Sequence, residues 1–281
     1  MLVVTLLAGV VIGLSLGALG GGGSILTVPV LVYLLHEQPR VATTASLVIV
    51  GVTAILAATS HARSGRVRWR AALVFGALGI AASFGGAKVN RLVDPSVLLL
   101  SFAALMLVAA TAMILRTRGS STTTAPAAHE LATVGAGQPG PDTHPHARHE
   151  EPTGGSSRAS TAGKVLVAAL VVGFLTGFLG VGGGFIIVPA LVLALRYEMA
   201  VAVGTSLVVI SITSLGAFLE RLGTTEIPWH TIVPFTIAAV LGSFAGKRVS
   251  DTVSGPTLTR AFAGLLVLVA AYVAVQAGTS L

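Results

Sequence analysis

The 281-residue chain contains no cysteine, which excludes disulfides, thiolate metal sites and thiol catalysis. Charge is scarce: Asp, Glu, Lys and Arg make up 10% of the residues, and aromatic side chains only 5%. No Gly-Lys-Ser/Thr occurs, so the phosphate-binding loop of a nucleotide-driven machine is missing. The apolar stretches contain no cysteine and no histidine pair, hence no couple of nucleophile and base and no metal cluster within them. The chain reads as a non-enzyme, without catalytic residues, cofactor or metal.

What is abundant is apolar sequence. At 54% hydrophobic residues and a mean hydropathy of +0.91, the chain has too little polar surface to cover a globule in water. Apolar stretches at 2–35, 41–60, 70–87 and 96–115 recur at 165–195, 201–219, 231–246 and 258–277. Each is near or above the roughly 20 residues that a spanning helix needs. Backbone groups in hydrocarbon must be satisfied within their own segment, so the expected fold is all-α, a polytopic integral membrane protein whose first partner is the lipid bilayer. Residues 2–20 lack a basic leading region and have a counterpart mid-chain, so they read as mature structure rather than a signal peptide. The net charge of +7 comes from arginines flanking the spans, which argues against a nucleic-acid partner.

The chain also repeats itself. Residues 13–35, GLSLGALGGGGSILTVPVLVYLL, match residues 173–195, GFLTGFLGVGGGFIIVPALVLAL, at an offset of 160. The same offset pairs Ser46-Leu47-Val48 with Ser206-Leu207-Val208, Trp69 with Trp229, and Ser83, Phe84 and Gly86 with Ser243, Phe244 and Gly246. The expected organisation is a membrane repeat over 1–115, a flexible linker over 116–163 rich in Gly, Pro, Ser, Thr and His, and a second membrane repeat over 164–281. His129, His144, His146 and His149 lie in that linker, where a solvated loop with incidental histidines is the simpler reading than a weak metal site.

Topology turns on the glycine-broken stretch that opens each half. A single crossing divides the lysines and arginines ten to seven between the two faces, whereas a helical hairpin leaves only Arg40, Lys88, Arg91 and Arg221 opposite the other thirteen of the 17. The positive-inside rule favours the hairpin. The segment after the glycines, residues 24–35, also makes only about 18 Å of helix, too short for a core of ~30 Å. A hairpin plus about three spanning helices per half gives inverted repeats, with both termini outside and the linker in the cytoplasm.

Gly20, Gly21, Gly22 and Gly23 present unobstructed backbone N–H groups just before a helix that starts near Ser24. Such a helix start can hold a small anion without a buried Lys or Arg. Gly180, Gly182, Gly183 and Gly184 form the second copy, and Pro29 and Pro189 follow at equal distance. Two such termini meeting near the midplane make a transporter site; the alternative is that the glycines only let helices pack closely. Thr44 and Ser46, with Thr205 and Ser206, recur near a helix start, where they either cap it or coordinate the anion. His61 and Glu220 end corresponding spans and are candidates for proton handling, against snorkelling at the interface. Trp69 and Trp229 read as interfacial belt residues.

The repeated GxxxGxxGxGGGxxxVP element, followed after a short polar loop by an ATxTS-like helix start, resembles the sulfite exporter TauE/SafE family over both halves. That resemblance implies a secondary transporter of small anions, with sulfite, sulfoacetate and other organosulfonates among the cargoes, often in export. It marks Gly20, Gly22, Gly23 and Pro29, with Gly180, Gly182, Gly183 and Pro189, as the motif. The first half carries Thr43-Thr44-Ala45-Ser46 where the second has the more family-like Val203-Gly204-Thr205-Ser206, and the long histidine-bearing linker has no counterpart in the family pattern. The expectation is export of a small sulfur-containing anion across the cytoplasmic membrane, driven by an ion gradient or by the anion's own gradient, with proton coupling as one hypothesis. An anion channel and a membrane scaffold or assembly factor are the rival functions, and a homo-oligomer is left open.

Overall fold

A computed structural model describes residues 2–90, 92–119, 155–179, 184–221 and 228–279, and among these it contains helices and short connections only. The helices are α1 (Leu2–Leu19), α2 (Gly22–Pro29), α3 (Pro39–Arg63), α4 (Trp69–Asn90), α5 (Pro95–Gly119), α6 (Gly155–Leu179), α7 (Gly184–Leu193), α8 (Met199–Arg221), α9 (Trp229–Thr252) and α10 (Gly255–Thr279). Among the described residues seven of them, α1, α3, α4, α5, α8, α9 and α10, are long and apolar enough to cross a membrane. The apolar part of α6, Val165–Leu179, is shorter, as are the return arms Gly22–Leu34 and Gly184–Leu193. The chain is a multi-pass membrane protein.

Local chemistry sets the boundaries. Gly20 adopts φ +71, a left-handed conformation that only glycine takes cheaply, and its N–H closes α1 onto Leu16 O at 2.8 Å. α2 then runs back along α1: Gly23 lies against Ile12 and Leu16, and Gly22 against Leu19. Pro29 cannot donate to the helix ladder, and the wider π-helical turn Val30–Leu34 follows directly. Pro39 opens α3 in the first turn, where its missing N–H costs nothing, and holds the preceding Gln38 extended.

The duplication is written in the backbone as well as in the sequence. His36 and Arg196, 160 positions apart, are the two non-glycine residues with positive φ among the described ones, at 57° and 54°. Each follows a return arm closed by the same long turn, Glu37 N–H to Leu31 O and Tyr197 N–H to Leu191 O. A left-handed L-residue costs about 1–2 kcal/mol, and both halves bear it.

Packing crosses between the halves. α1 packs most extensively on α9, and α4 on α6, so the first helix of each half lies against the third spanning helix of the other. Gly9, Gly13 and Gly17 of α1 face Ala238, Ala239 and Ser243 in the same chain direction, while Gly173 and Gly177 of α6 face Gly79 and Ser83. α3 packs on α8 the other way round, with Gly51 near Ser214 and His61 near Gly204. Hydrocarbon is as apolar as leucine, so burial does not drive this association; close backbone approach does. A Cβ on Gly173 would come within 2.5 Å of Gly79 O, and one on Gly13 or Gly17 would overlap the Ala239 or Ser243 carbonyl oxygen. Large apolar side chains such as Leu73, Leu107, Ile237 and Leu241 face outward, as a lipid solvent requires.

Candidate functional site

The tip of the first hairpin meets the start of α7 inside the bundle. A Cβ on Gly21 would overlap Gly184 O, one on Gly184 would lie 2.5 Å from Ser24 Oγ, and one on Gly20 would lie 2.5 Å from Ser206 Oγ. Gly20, Gly21, Ser24, Gly184 and Ser206 therefore converge on one crossing, assembled from α1, α2, α7 and α8. All five are buried. Ser24 donates to Gly21 O at 2.7 Å and Ser206 to Val203 O at 2.8 Å, so each hydroxyl is turned back on its own strand of helix. Gly22 and Gly23 are packed too, Gly22 against the side chains of Leu265 and Leu19, and Gly23 against Ile12 O. The described glycines are thus used for close packing in this conformation.

The remaining expected residues lie elsewhere. Ser46 and Ser206 sit about two turns inside α3 and α8, which begin at Pro39 and Met199, so neither caps its helix. Ser46 donates to Thr43 O at 2.8 Å, and Thr44 is buried in α3. Thr205 accepts a hydrogen bond from Arg68 N at 3.1 Å, which ties α8 to the connection between α3 and α4. Pro29 and Pro189 both lie inside short return helices. Trp69 and Trp229 open α4 and α9 and are equally exposed, at 55% each, as interfacial residues are. Gly180, Gly182, Gly183, the side chain of Glu220 and the linker histidines fall outside the described residues.

His61 is fully buried near the end of α3. Its Nε2–H donates to Gly17 O at 3.2 Å, while among the described residues Nδ1 has no hydrogen-bond partner. The charges that bear on it are Arg66, Lys247 and Asp251. Asp251 pairs with Arg66 and, at 2.6 Å, with Lys247, joining the end of α9 to the α3–α4 connection. Sequence reasoning missed this cluster, because Arg66 and Asp251 are 185 positions apart and only the α1–α9 and α3–α9 packing brings them together. It also missed Arg116, which lines a groove of about 430 Å³ at the linker end with Tyr197, Glu198 and Thr259; its Nη1 has no hydrogen-bond partner among the described residues.

The comparisons with known proteins agree with this architecture. The model of the family described as sulfite exporter TauE/SafE matches residues 5–273. A protein of Xylella fastidiosa named "Probable membrane transporter protein" is 31% identical over 100% of this chain and 97% of its own length. A protein of the same descriptive name from Methanocaldococcus jannaschii is 22% identical over 87% of this chain and 86% of its own. One from Bacillus subtilis is 25% identical over 92% and 94%. No solved structure matches the chain. A repeated glycine-broken hairpin, duplicated down to its left-handed closing residues and matched end to end by the family model, places this chain in the sulfite exporter TauE/SafE family of membrane proteins.

Proposed function

We propose that the chain is a secondary transporter that exports a small sulfur-containing anion, sulfite or an organosulfonate such as sulfoacetate, across the cytoplasmic membrane by alternating access of two inverted repeats. The observation that carries the reading is the crossing of the two hairpin tips at Gly20, Gly21, Ser24, Gly184 and Ser206, with broken helices where a cavity can open between them. Inversion is supported by helix direction: α3 and α8 are the same element of each half, yet Gly51 meets Ser214 while His61 meets Gly204, so they run antiparallel. When the tips part, the N–H groups at the starts of α2 and α7 supply partial positive charge to the anion without a permanent cation that would trap it.

Proton coupling is assigned to His61. It is buried, its Nδ1 is open, and its Nε2 bonds to Gly17 three residues before the tip, so a proton gained at Nδ1 changes the field at the hairpin. The energy source is a gradient, since the chain has no nucleotide-binding loop.

The test is counterflow of labelled sulfite into proteoliposomes of the purified chain, challenged with unlabelled sulfite, sulfate, sulfoacetate, taurine and chloride. Saturable counterflow competed by sulfite or a sulfonate is expected. Non-saturating flux without counterflow would make the protein a channel, and no flux with any of these anions would remove the sulfur assignment.

A further inference from the structure

One wing of the molecule is hollow. A partly enclosed cavity of about 70 Å³ lies between α3, α4, α6, α7 and α8, and Ser83, Thr176, Thr213 and Ser214 line it. Ile187 and Val209, which also line it, are each three residues beyond Gly184 and Ser206, so the cavity opens directly behind the crossing of the hairpin tips.

The duplication explains why it is there. The offset of 160 pairs Thr176 with Leu16, Gly216 with Leu56, Gly79 with Ala239 and Ser214 with Ala54. In the first wing Leu16, Ala54 and Ala239 belong to the hydrophobic core. In the second, three of the four positions are smaller and two carry a hydroxyl. The space coincides with positions at which the two copies of one repeated sequence differ.

We infer that this cavity is the chamber that receives the transported species, that only the second wing carries it, and that it selects a compact oxyanion with a single central atom over a carbon-bearing sulfonate. The inference rests on the transporter reading above and narrows its substrate class. A water molecule's share of liquid volume is about 30 Å³, so the cavity holds roughly two waters' worth of space, room for one compact species and no second functional group. Its lining contains no Asp, Glu, Lys or Arg; the polar side chains are hydroxyls. Ser83 donates to Ile80 O and Thr176 to Val172 O, both at 2.7 Å, and Thr213 donates to Val209 O at 3.0 Å. Hydroxyl rotors can turn from these carbonyls to an oxyanion, exchanging one hydrogen bond for another. Ser214, 4% exposed, adds a fourth hydroxyl-bearing side chain to the lining.

The experiment transplants the first wing's residues into the second. The full chain is reconstituted in proteoliposomes, and labelled sulfite counterflow is compared for wild type, Thr176→Leu, Gly79→Ala and the reciprocal Leu16→Thr, with sulfoacetate as competitor. A Cβ on Gly79 meets only Thr213 Cγ2 at 4.0 Å, so Gly79→Ala keeps the test alive if Thr176→Leu fails to fold. Thermal unfolding in detergent confirms which variants fold. Expected are at least a tenfold fall in initial rate for Thr176→Leu, a several-fold fall for Gly79→Ala, a change under twofold for Leu16→Thr, and competition by sulfoacetate at least tenfold weaker than by sulfite. A wild type that counterflows sulfite while folded Thr176→Leu and Gly79→Ala stay within twofold of it would overturn the chamber and leave the transporter standing. Sulfoacetate competing as well as sulfite would overturn the size selection. A wild type with no flux for any anion would overturn the transporter reading and the chamber with it.

Discussion

The α1–α9 seam and the α4–α6 seam are built alike. Gly13 on Ala239 answers to Gly173 on Gly79, and Gly17 on Ser243 answers to Gly177 on Ser83. One turn along, however, Leu16 fills the first wing while Thr176 borders open space in the second. Contacts between backbones have no slack, so divergence of the two halves left them alone; contacts made by side chains were free to change. The fold is symmetric where atoms touch most closely and asymmetric where a ligand would sit.

That comparison breaks most severely at the seams themselves. Gly17→Val and Gly177→Val each force a Cβ onto a serine carbonyl oxygen of the facing helix, which neither rigid partner can yield. Both are expected to lose about 4–5 kcal/mol or more and fail to give monodisperse protein in detergent. If one of the two folds normally, the seams are not equivalent. Within the hairpin tip, Gly22 is the more forgiving position. A Cβ on Gly22 lies 2.9 Å from Leu265 Cδ2, the end of a flexible side chain, so Gly22→Val is expected to insert and purify normally yet lose counterflow; retained wild-type flux would detach function from the tip.

Smaller again is His61→Gln. The position corresponding to His61 in the second half is Arg221, so the first half alone would carry the proton. The variant is expected to keep counterflow at equal pH and lose its response to an imposed pH gradient. A response equal to that of wild type assigns coupling elsewhere. The smallest effect is expected from Asp251→Asn, which unties Arg66 and Lys247. These side chains are 18% to 33% exposed, so the loss should be about 0–1 kcal/mol, seen as a shift of a few degrees at most in thermal unfolding at low salt and vanishing as salt is added.

Much of this architecture could be read before any coordinates. The glycine run after an apolar stretch of spanning length, returning at a fixed offset, is a local signal, and it located the hairpin, the repeats and the tryptophans at the starts of α4 and α9. The span ends were harder, because helices continue past their apolar stretch when a long side chain can reach the interface. α9 therefore runs to Thr252 and carries Lys247 and Asp251 beyond residue 246. The hydroxyls of Ser46 and Ser206 looked like helix starts because the apolar run begins near them, but Pro39 and Glu198 set the real starts further back. The Arg66–Asp251 pair was invisible for a different reason: it depends on which half packs against which. The cavity was written in the sequence only as a difference, Thr176 against Leu16 and Gly216 against Leu56, while attention to the repeats falls naturally on what they share.

The crossed seams also bear on how the chain is made. α1 is synthesised well before its partner, for the surface that its three glycines fit is on α9, more than 200 residues later. Until α9 is made, those glycines lack the surface they fit. The clasp between α1 and α9 can therefore close only after the chain has been made through α9. A truncated transcript that ends before α9 would leave α1 without its mate.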